Sequence, residues 1–259
     1  MTTDRVRATN RRPFGDQSRV AVVTTSWDDG HLLDLRLAEL LLEYGLAATF
    51  YIAPNNREIP TRSRLTDRHI TELGTSFEIG AHTLTHPRLT TLTDDAALAE
   101  ILSGRQHLED CATTSIASFC YPGGKYAAIH TQMVRDAGFC LARTIERHQL
   151  GFPASLMEVP TTFHAYRHLR DVGPALRTSN RQPGCALRHY LNWDEWAMAF
   201  FDLVSARGGL FHLWGHSWEI DERNDWDRLE RVFEHISHRP DVRYVSNHEL
   251  AHPSGWPHS

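Results

Sequence analysis

Two short clusters of acidic and histidine residues constrain this chain more than any other feature. The first, Ser26-Trp27-Asp28-Asp29-Gly30, follows an apolar, β-branched run over residues 19–25. The second, His82-Thr83-Leu84-Thr85-His86, follows a shorter run over residues 76–81. Such runs predict buried strands, and parallel strands collect functional residues at their carboxyl ends. One βαβ unit and a loop would span the interval between the clusters, so we expect them to meet.

One aspartate and two histidines form a divalent-metal site, because mixed nitrogen and oxygen ligation favours zinc or a similar ion over calcium or magnesium. Histidines four residues apart also present both rings on one side of a helical turn. Asp29, His82 and His86 are the predicted ligands, and Asp28 is then free to act as a general base. The alternative interpretation is a helix-capping turn, together with a chance pair among the 17 histidines. The position of both clusters after strands favours the metal site.

These clusters resemble the first two motifs of the polysaccharide deacetylase family, the carbohydrate esterases that share the NodB homology domain. The resemblance extends over about residues 20–245 and implies an α/β fold, an irregular (β/α) barrel. It implies that Asp28 is the catalytic base and that Asp29, His82 and His86 bind zinc, with cobalt or nickel as alternatives.

The third family motif, Arg-x-Pro-aromatic, is incomplete here. The chain has Cys120-Tyr121-Pro122-Gly123, with a cysteine where the resemblance implies an arginine that pairs with the base. The backbone N–H of Gly123 is a candidate oxyanion donor, since that role needs a positioned amide and not a side chain. The next predicted strand, residues 139–144, directs Arg143 toward the site as a replacement for the missing cation. A surface arginine is the alternative interpretation.

The run from Gly208 to Glu219 resembles the last family motif, a strand that ends in a histidine which protonates the leaving amine. His216 lies at the predicted strand end and is the candidate acid, whereas His212 falls inside the apolar run and is expected to pack in the core. Aromatic side chains near the motifs are candidates for substrate contacts, with ordinary packing as the alternative. They are Trp27, Tyr121, Trp214 and Trp218.

Composition limits the number of domains, the kinds of partner and the location to be expected. With 259 residues, 41% of them hydrophobic, the chain suits one barrel-sized domain over residues 19–259, preceded by a tail or edge segment over residues 1–18. A net charge of −5 and the absence of a basic run argue against nucleic acid or an anionic membrane as partner. The first residues lack the apolar core of a signal peptide, and the four cysteines have no pairing pattern, so a cytoplasmic location is expected.

Strands and helices are predicted to alternate along the chain. The longest irregular stretch, residues 147–189, exceeds an ordinary connection. Within it, residues 158–161 are a candidate strand, and residues 170–190 are interpreted as a loop that shapes the substrate pocket or as an exposed loop without a role.

The predicted function is metal-dependent removal of an N-acetyl group from an amino sugar. A small soluble substrate is expected, although an oligosaccharide is not excluded by the residues. One alternative is a hydrolase of cyclic amides, similar to allantoinases and imidases. The other is a catalytically silent sugar-binding or scaffold protein, for which Cys120 is the sequence argument.

Overall fold

The computed structural model describes residues 20–112, 114–168, 171–178 and 182–253. Within them, parallel strands form one eight-stranded sheet in the order β5-β4-β3-β2-β1-β7-β6, and β8 also pairs with β1. The strands are β1 (Ala21–Asp29), β2 (Ala48–Ile52), β3 (Glu78–Ala81), β4 (Ser118–Cys120), β5 (Leu141–Arg143), β6 (Phe163–His164), β7 (Gly209–Gly215) and β8 (Val242–Tyr244).

Helices connect the strands and cover the sheet, as parallel pairing requires. They are α1 (Asp34–Glu43), α2 (Asp67–Gly74), α3 (Asp94–Ala112), α4 (Ala128–Asp136), α5 (Val172–Thr178), α6 (Pro183–Leu191), α7 (Trp193–Arg207), α8 (Ser217–Arg223), α9 (Trp226–Ile236) and α10 (Asn247–Leu250). Short 3₁₀ turns lie at Thr61–Ser63, Leu89–Thr91, Pro122–Gly124 and Leu156–Glu158. In the part of the chain that the structure describes, no helix combines the length and apolarity needed to cross a bilayer.

Strand β1 lies at the centre of the sheet. It pairs with β7 along one edge, and its other edge is shared by β8 at residues 21–23 and by β2 at residues 25–29. All nine residues of β1 are buried, which explains the β-branched run at its start. The strand continues beyond the predicted 19–25, so that Asp28 and Asp29 are its last two residues and remain hydrogen-bonded into the sheet.

The two faces of β1 have different partners, because successive side chains of a strand point in opposite directions. Trp27 packs edge-on against Phe233, with ring centroids 6.1 Å apart. Phe233 belongs to the apolar stripe of α9, together with Leu229, Val232 and Ile236, all fully buried. Asp28 therefore faces away from the α9 layer.

The stretch between β5 and α7 differs from its prediction. The segment interpreted as a loop over residues 170–190 contains α5 and α6, and Pro183 occupies the first turn of α6, where its missing N–H is not needed. The strand expected over residues 158–161 is only an isolated bridge between Val159 and Arg143, and β6 lies further along the chain. Pro160 has no backbone N–H with which to extend the hydrogen bonding beyond this bridge. The tail expected over residues 1–18 lies outside the described residues.

Candidate active site

The atoms of the predicted ligands converge at the carboxyl ends of β1 and β3. The Nε2 atoms of His82 and His86 are 3.1 Å apart, and they lie 3.7 Å and 3.3 Å from Oδ1 of Asp29. Ligands of a tetrahedral zinc ion are separated by about 3.4 Å, so this triangle matches such a site.

Asp29 supplies an independent test of whether a cation fits. Its Oδ1 atom is buried and has no hydrogen-bond partner among the described residues. Leaving a charged oxygen buried and unpaired is costly unless a cation compensates it. The two imidazoles and this oxygen therefore fit a divalent ion.

The remaining polar atoms of the three side chains are held by other groups. Nδ1 of His82 lies 2.7 Å from the carbonyl oxygen of Cys120, and Nδ1 of His86 lies 2.9 Å from the Glu58 carboxylate. Both acceptors favour a proton on Nδ1, which leaves the Nε2 lone pair available to a metal. Oδ2 of Asp29 accepts a hydrogen bond of 3.0 Å from the indole of Trp218.

The two histidines do not lie on a helical turn, so the helical turn predicted for them is wrong. The segment that carries them is a loop in which Thr83 and His86 both have φ of 65°. Asp29 also has a positive φ, of 85°, and Thr83 accepts a 3.1 Å hydrogen bond from the His86 backbone N–H. A positive φ is unfavourable for residues other than glycine, and such strain clusters at functional sites. The rings meet because of this local geometry.

Helix α3 supports the histidine loop through two residues that the sequence analysis missed. The Glu100 carboxylate accepts hydrogen bonds from the Leu84 and Thr85 backbone N–H groups at 3.1 and 2.9 Å. Gly104 allows the close approach, because a Cβ there would lie 2.5 Å from the carbonyl carbon of Thr83. A glycine inside a helix costs about 1 kcal/mol relative to alanine. Its presence inside a predicted helix was therefore the sequence feature that indicated a close contact at this position.

Asp28 is paired with Arg143, the predicted replacement for the missing motif arginine. Nη2 of Arg143 donates to both carboxylate oxygens of Asp28 and lies 2.9 Å from the Cys120 sulfur. Cys120 and Arg143 are direct neighbours in the β4–β5 register, so the cation comes from one strand further along the sheet. Arg143 is fully buried, and its guanidinium lies 4.6 Å from the centre of the Trp214 ring.

This pairing controls the protonation of Asp28. Burial alone would raise the pKa of Asp28, but the charge and hydrogen bonds of Arg143, together with the nearby His82 and His216, outweigh burial and lower the pKa to about 2. Burial also raises the pKa of the Cys120 thiol well above its ordinary value. At neutral pH the pair is therefore a carboxylate and a guanidinium beside a neutral thiol.

His216 follows β7 directly and lies on the other side of Asp29. Its Nδ1 is 2.5 Å from the Glu219 carboxylate, and its Nε2 is 3.8 Å from Oδ2 of Asp29. Glu219 also binds Nε2 of His164 at 3.0 Å. Burial lowers the pKa of His216, but Asp29 and Glu219 outweigh burial and raise the pKa to about 9. His212 packs within the core, 2.8 Å from the Ser26 hydroxyl, as expected for its place inside the strand.

Among the four aromatic candidates, Trp218 lies at the edge of a cavity. The cavity has a volume of 270 Å³ and is also lined by Asp29, His31, Glu58, Ile59, Pro60 and Glu222. Trp218 is partly exposed, so its ring and the metal-ligand carboxylate border the same space.

The other three aromatic candidates are buried, which argues against the substrate contacts predicted for them. Trp27 is 0% exposed and belongs to the α9 side of β1. Tyr121 is 0% exposed and donates a 3.0 Å hydrogen bond to the Met157 carbonyl. Trp214 is 5% exposed, stacked on His164 with ring centroids 3.9 Å apart. The Arg143 guanidinium also packs on this indole, 4.6 Å from the ring centre.

Gly123 lies in the 3₁₀ turn Pro122–Gly124, which follows β4 at the same end of the sheet. Its φ of 58° is readily adopted by glycine, and a Cβ at this position would be 3.5 Å from Nε of Arg88. The oxyanion role of its N–H stays a prediction.

Comparison with known families identifies the part of the chain that carries the ligand residues. Residues 15–142 match the family model described as polysaccharide deacetylase, and the match includes both clusters and Cys120. This match, over 128 of the 259 residues, identifies a polysaccharide deacetylase domain in the chain. Arg143 and His216 lie beyond the matched residues, and no curated protein matches the sequence.

Solved structures agree with the barrel fold. A putative polysaccharide deacetylase from Mycobacterium smegmatis aligns with a TM-score of 0.62 and 15% identity, covering 91% of this chain and 90% of that one. The chitin deacetylase of Colletotrichum lindemuthianum aligns with a TM-score of 0.60 and 15% identity, covering 93% and 94%. The parallel sheet with its outer helices is thus the irregular (β/α) barrel that the sequence predicted.

Other similar structures align over only part of each chain. The alignment with the deacetylase PplD of Streptococcus pyogenes has 19% identity and a TM-score of 0.49, and covers 53% of this chain and 62% of that one. This chain therefore spans less than two thirds of that relative.

Proposed function

We propose that this chain is a metal-dependent amide hydrolase that removes the N-acetyl group of a small amino-sugar substrate. The observation that carries the proposal is the unpaired, buried Oδ1 of Asp29, which faces the Nε2 atoms of two histidines next to the paired carboxylate of Asp28. The family assignment supports hydrolysis of an amide, and members of this family depend on metal in general.

Asp29, His82 and His86 would hold the divalent ion, most simply zinc. When bound there, the ion would act as a Lewis acid on the acyl carbonyl of the substrate. Asp28 would take a proton from the attacking water, and Arg143 would hold this carboxylate in its charged form. The N–H of Gly123 would donate to the developing oxyanion.

His216 is the proposed general acid for the leaving nitrogen. The Glu219 carboxylate fixes Nδ1 of this ring, which leaves Nε2 directed to the Asp29 side of the site. His212 is unsuited to the role, because it is fully buried and its Nε2 is engaged with Ser26.

The cavity beside Trp218 supports a small substrate. Its volume of 270 Å³ is near the lower end of ligand-binding pockets, enough for one sugar ring. An indole ring can stack on the apolar face of a sugar, and carboxylates beside it can accept hydrogen bonds from the sugar hydroxyls.

Acetate release from a panel of N-acetylated amino sugars and their phosphorylated forms tests the function. We expect release from at least one compound, and we expect a chelator to abolish it and added zinc or cobalt to restore it. Ring opening of allantoin or an imide without acetate release would favour the cyclic-amide alternative. Binding of an amino sugar with no turnover of any compound would favour the silent alternative.

Replacement of the ligand histidines tests the metal centre. The purified chain should hold about one divalent ion, and His82→Ala combined with His86→Ala should remove it, because two of three protein ligands are lost. Elemental analysis measures the ion content. His235→Ala, on α9 and outside the groups of described side chains that could hold an ion, is the matched control and should leave the content unchanged. Full occupancy in the double variant would exclude this site.

A further inference from the structure

A second cavity, unused by the proposed chemistry, opens beyond the carboxyl end of β6. It has a volume of 330 Å³, and its lining is rich in guanidinium groups. The polar lining residues are Arg167, Arg223, Arg228, Asp225 and Tyr166, and the other two lining residues are Leu191 and Trp193.

The charges around this cavity are unbalanced. Arg228 is neutralised, since it lies 2.8 Å from the Asp194 carboxylate and 3.1 Å from that of Asp225. Among the described residues, Arg167 and Arg223 form no ion pair with a carboxylate within 4.0 Å. Two cations thus border the cavity without a direct counter-charge, although the whole chain has a net charge of −5.

Aromatic rings hold these two cations in place. Arg223 donates a 2.6 Å hydrogen bond to the Tyr166 hydroxyl, and its guanidinium lies 5.1 Å from the centre of the same ring. The guanidinium of Arg167 lies 5.9 Å from the ring of Tyr190. Stacking restricts a long side chain and leaves its N–H groups free to bind an anion.

The cavity adjoins the proposed active site. The Tyr166 ring is 5.5 Å from that of His164, which shares the Glu219 carboxylate with His216. Glu219 and Arg223 are four residues apart on α8, so both lie on one side of the helix, one turn apart. The proposed acid and the arginine-lined cavity are therefore connected through Glu219 and α8.

We propose that this cavity binds a phosphate or diphosphate group of the substrate. The inference rests on the proposed function for the identity of the rest of the molecule, an N-acetylated amino sugar. A phosphate dianion matches the two unpaired guanidinium groups in charge, and guanidinium forks donate to its oxygens in pairs.

Calorimetric titration of the metal-loaded chain with inorganic pyrophosphate tests the site without requiring turnover. We expect one bound pyrophosphate, and about tenfold weaker binding in Arg223→Gln and in Arg167→Gln, as the loss of a charge-assisted hydrogen bond predicts. Arg223→Lys, which keeps the charge and loses the fork, should be intermediate. Arg207→Gln, at the other end of the barrel, is the matched control and should bind as the unchanged chain does.

Two further titrations separate this site from other sources of binding. Pyrophosphate should still bind to the chain that carries both His82→Ala and His86→Ala; loss of binding there would locate the anion at the metal and overturn the proposal. Glucuronate should bind more weakly than pyrophosphate, and tighter binding of glucuronate would overturn the choice of phosphate over carboxylate. Equal pyrophosphate binding by Arg223→Gln, Arg167→Gln and the unchanged chain would also overturn it.

Kinetics then connects the cavity to the substrate. The ratio of kcat/KM for N-acetylglucosamine 1-phosphate over that for N-acetylglucosamine should fall about tenfold in Arg223→Gln, mainly through a higher KM for the phosphorylated sugar. A ratio unchanged by the substitution would contradict the role in substrate binding. Pyrophosphate binding without acetate release from any sugar would retain the anion site and refute the deacetylase function instead.

Discussion

Asp28→Asn will lower kcat by about 10²–10⁴-fold while the divalent-ion content stays near that of the unchanged chain. An amide cannot take the proton that the carboxylate takes, and it is close in shape, so the contact with Arg143 is kept in part. Asp28 is outside the triangle formed by Asp29 and the two histidines, which is why the ion should remain. Initial rates of acetate release and elemental analysis measure the two quantities.

The adjacent residue provides the matched control. Asp29→Asn removes the unpaired carboxylate oxygen from the ligand triangle and should lose both the ion and the activity. The two variants make the same chemical change at neighbouring positions of β1, so a difference in metal content reports the role of each position. If Asp28→Asn lost the ion and Asp29→Asn kept it, the two roles would be reversed.

Much of the barrel could be predicted from local patterns. The run before Asp28 is buried on both faces of β1, and such strands read as continuous apolar sequence. The histidine cluster follows β3 for the same topological reason, because parallel strands end at one edge of the sheet. These patterns depend on neighbours in sequence, and they located the metal-ligand candidates.

Contacts between distant residues were harder to predict. The support that Glu100 gives to the histidine loop depends on how α3 packs, which no local pattern contains. The glycines and prolines around Pro183 indicated a loop, but a proline in the first turn of a helix has the same local appearance.

The alternation of side chains along a strand decides which residues face the site, and residue type does not. Trp27 is adjacent to Asp28 in sequence and was a candidate for substrate contact, yet the strand period directs it to the α9 side. Arg143 was predicted from its place toward the site end of the next strand, with a surface arginine as the equal alternative. The observed register sets it opposite Cys120, a pairing between strands that no single segment of sequence contains.

Arg143→Met will reduce both stability and turnover. Arg143 and Asp28 form a buried ion pair, and removing one partner leaves an uncompensated charge, which typically costs about 3–5 kcal/mol of unfolding free energy. The pH dependence of this contribution to stability follows from the Asp28 carboxyl, whose pKa is lowered from an ordinary 3.8 to about 2 in the folded chain. The stability that the pair contributes is present above pH 3.8 and is lost as the pH falls towards 2. Denaturant unfolding at several pH values measures it.

The same substitution should shift the pH dependence of the reaction. The base is active when ionised, so activity is lost as the pH falls through its pKa; without Arg143, burial dominates and that pKa rises. The acidic limb of the kcat/KM profile should therefore move to higher pH in Arg143→Met.

Arg143→Lys restores a cation without the fork and should recover part of the stability, which keeps the test informative if the methionine variant folds poorly. Cys120→Ser, a change beside the same pair, should leave the acidic limb in place, and an equal shift in both variants would mean that packing around Asp28, and not the charge of Arg143, sets its ionisation.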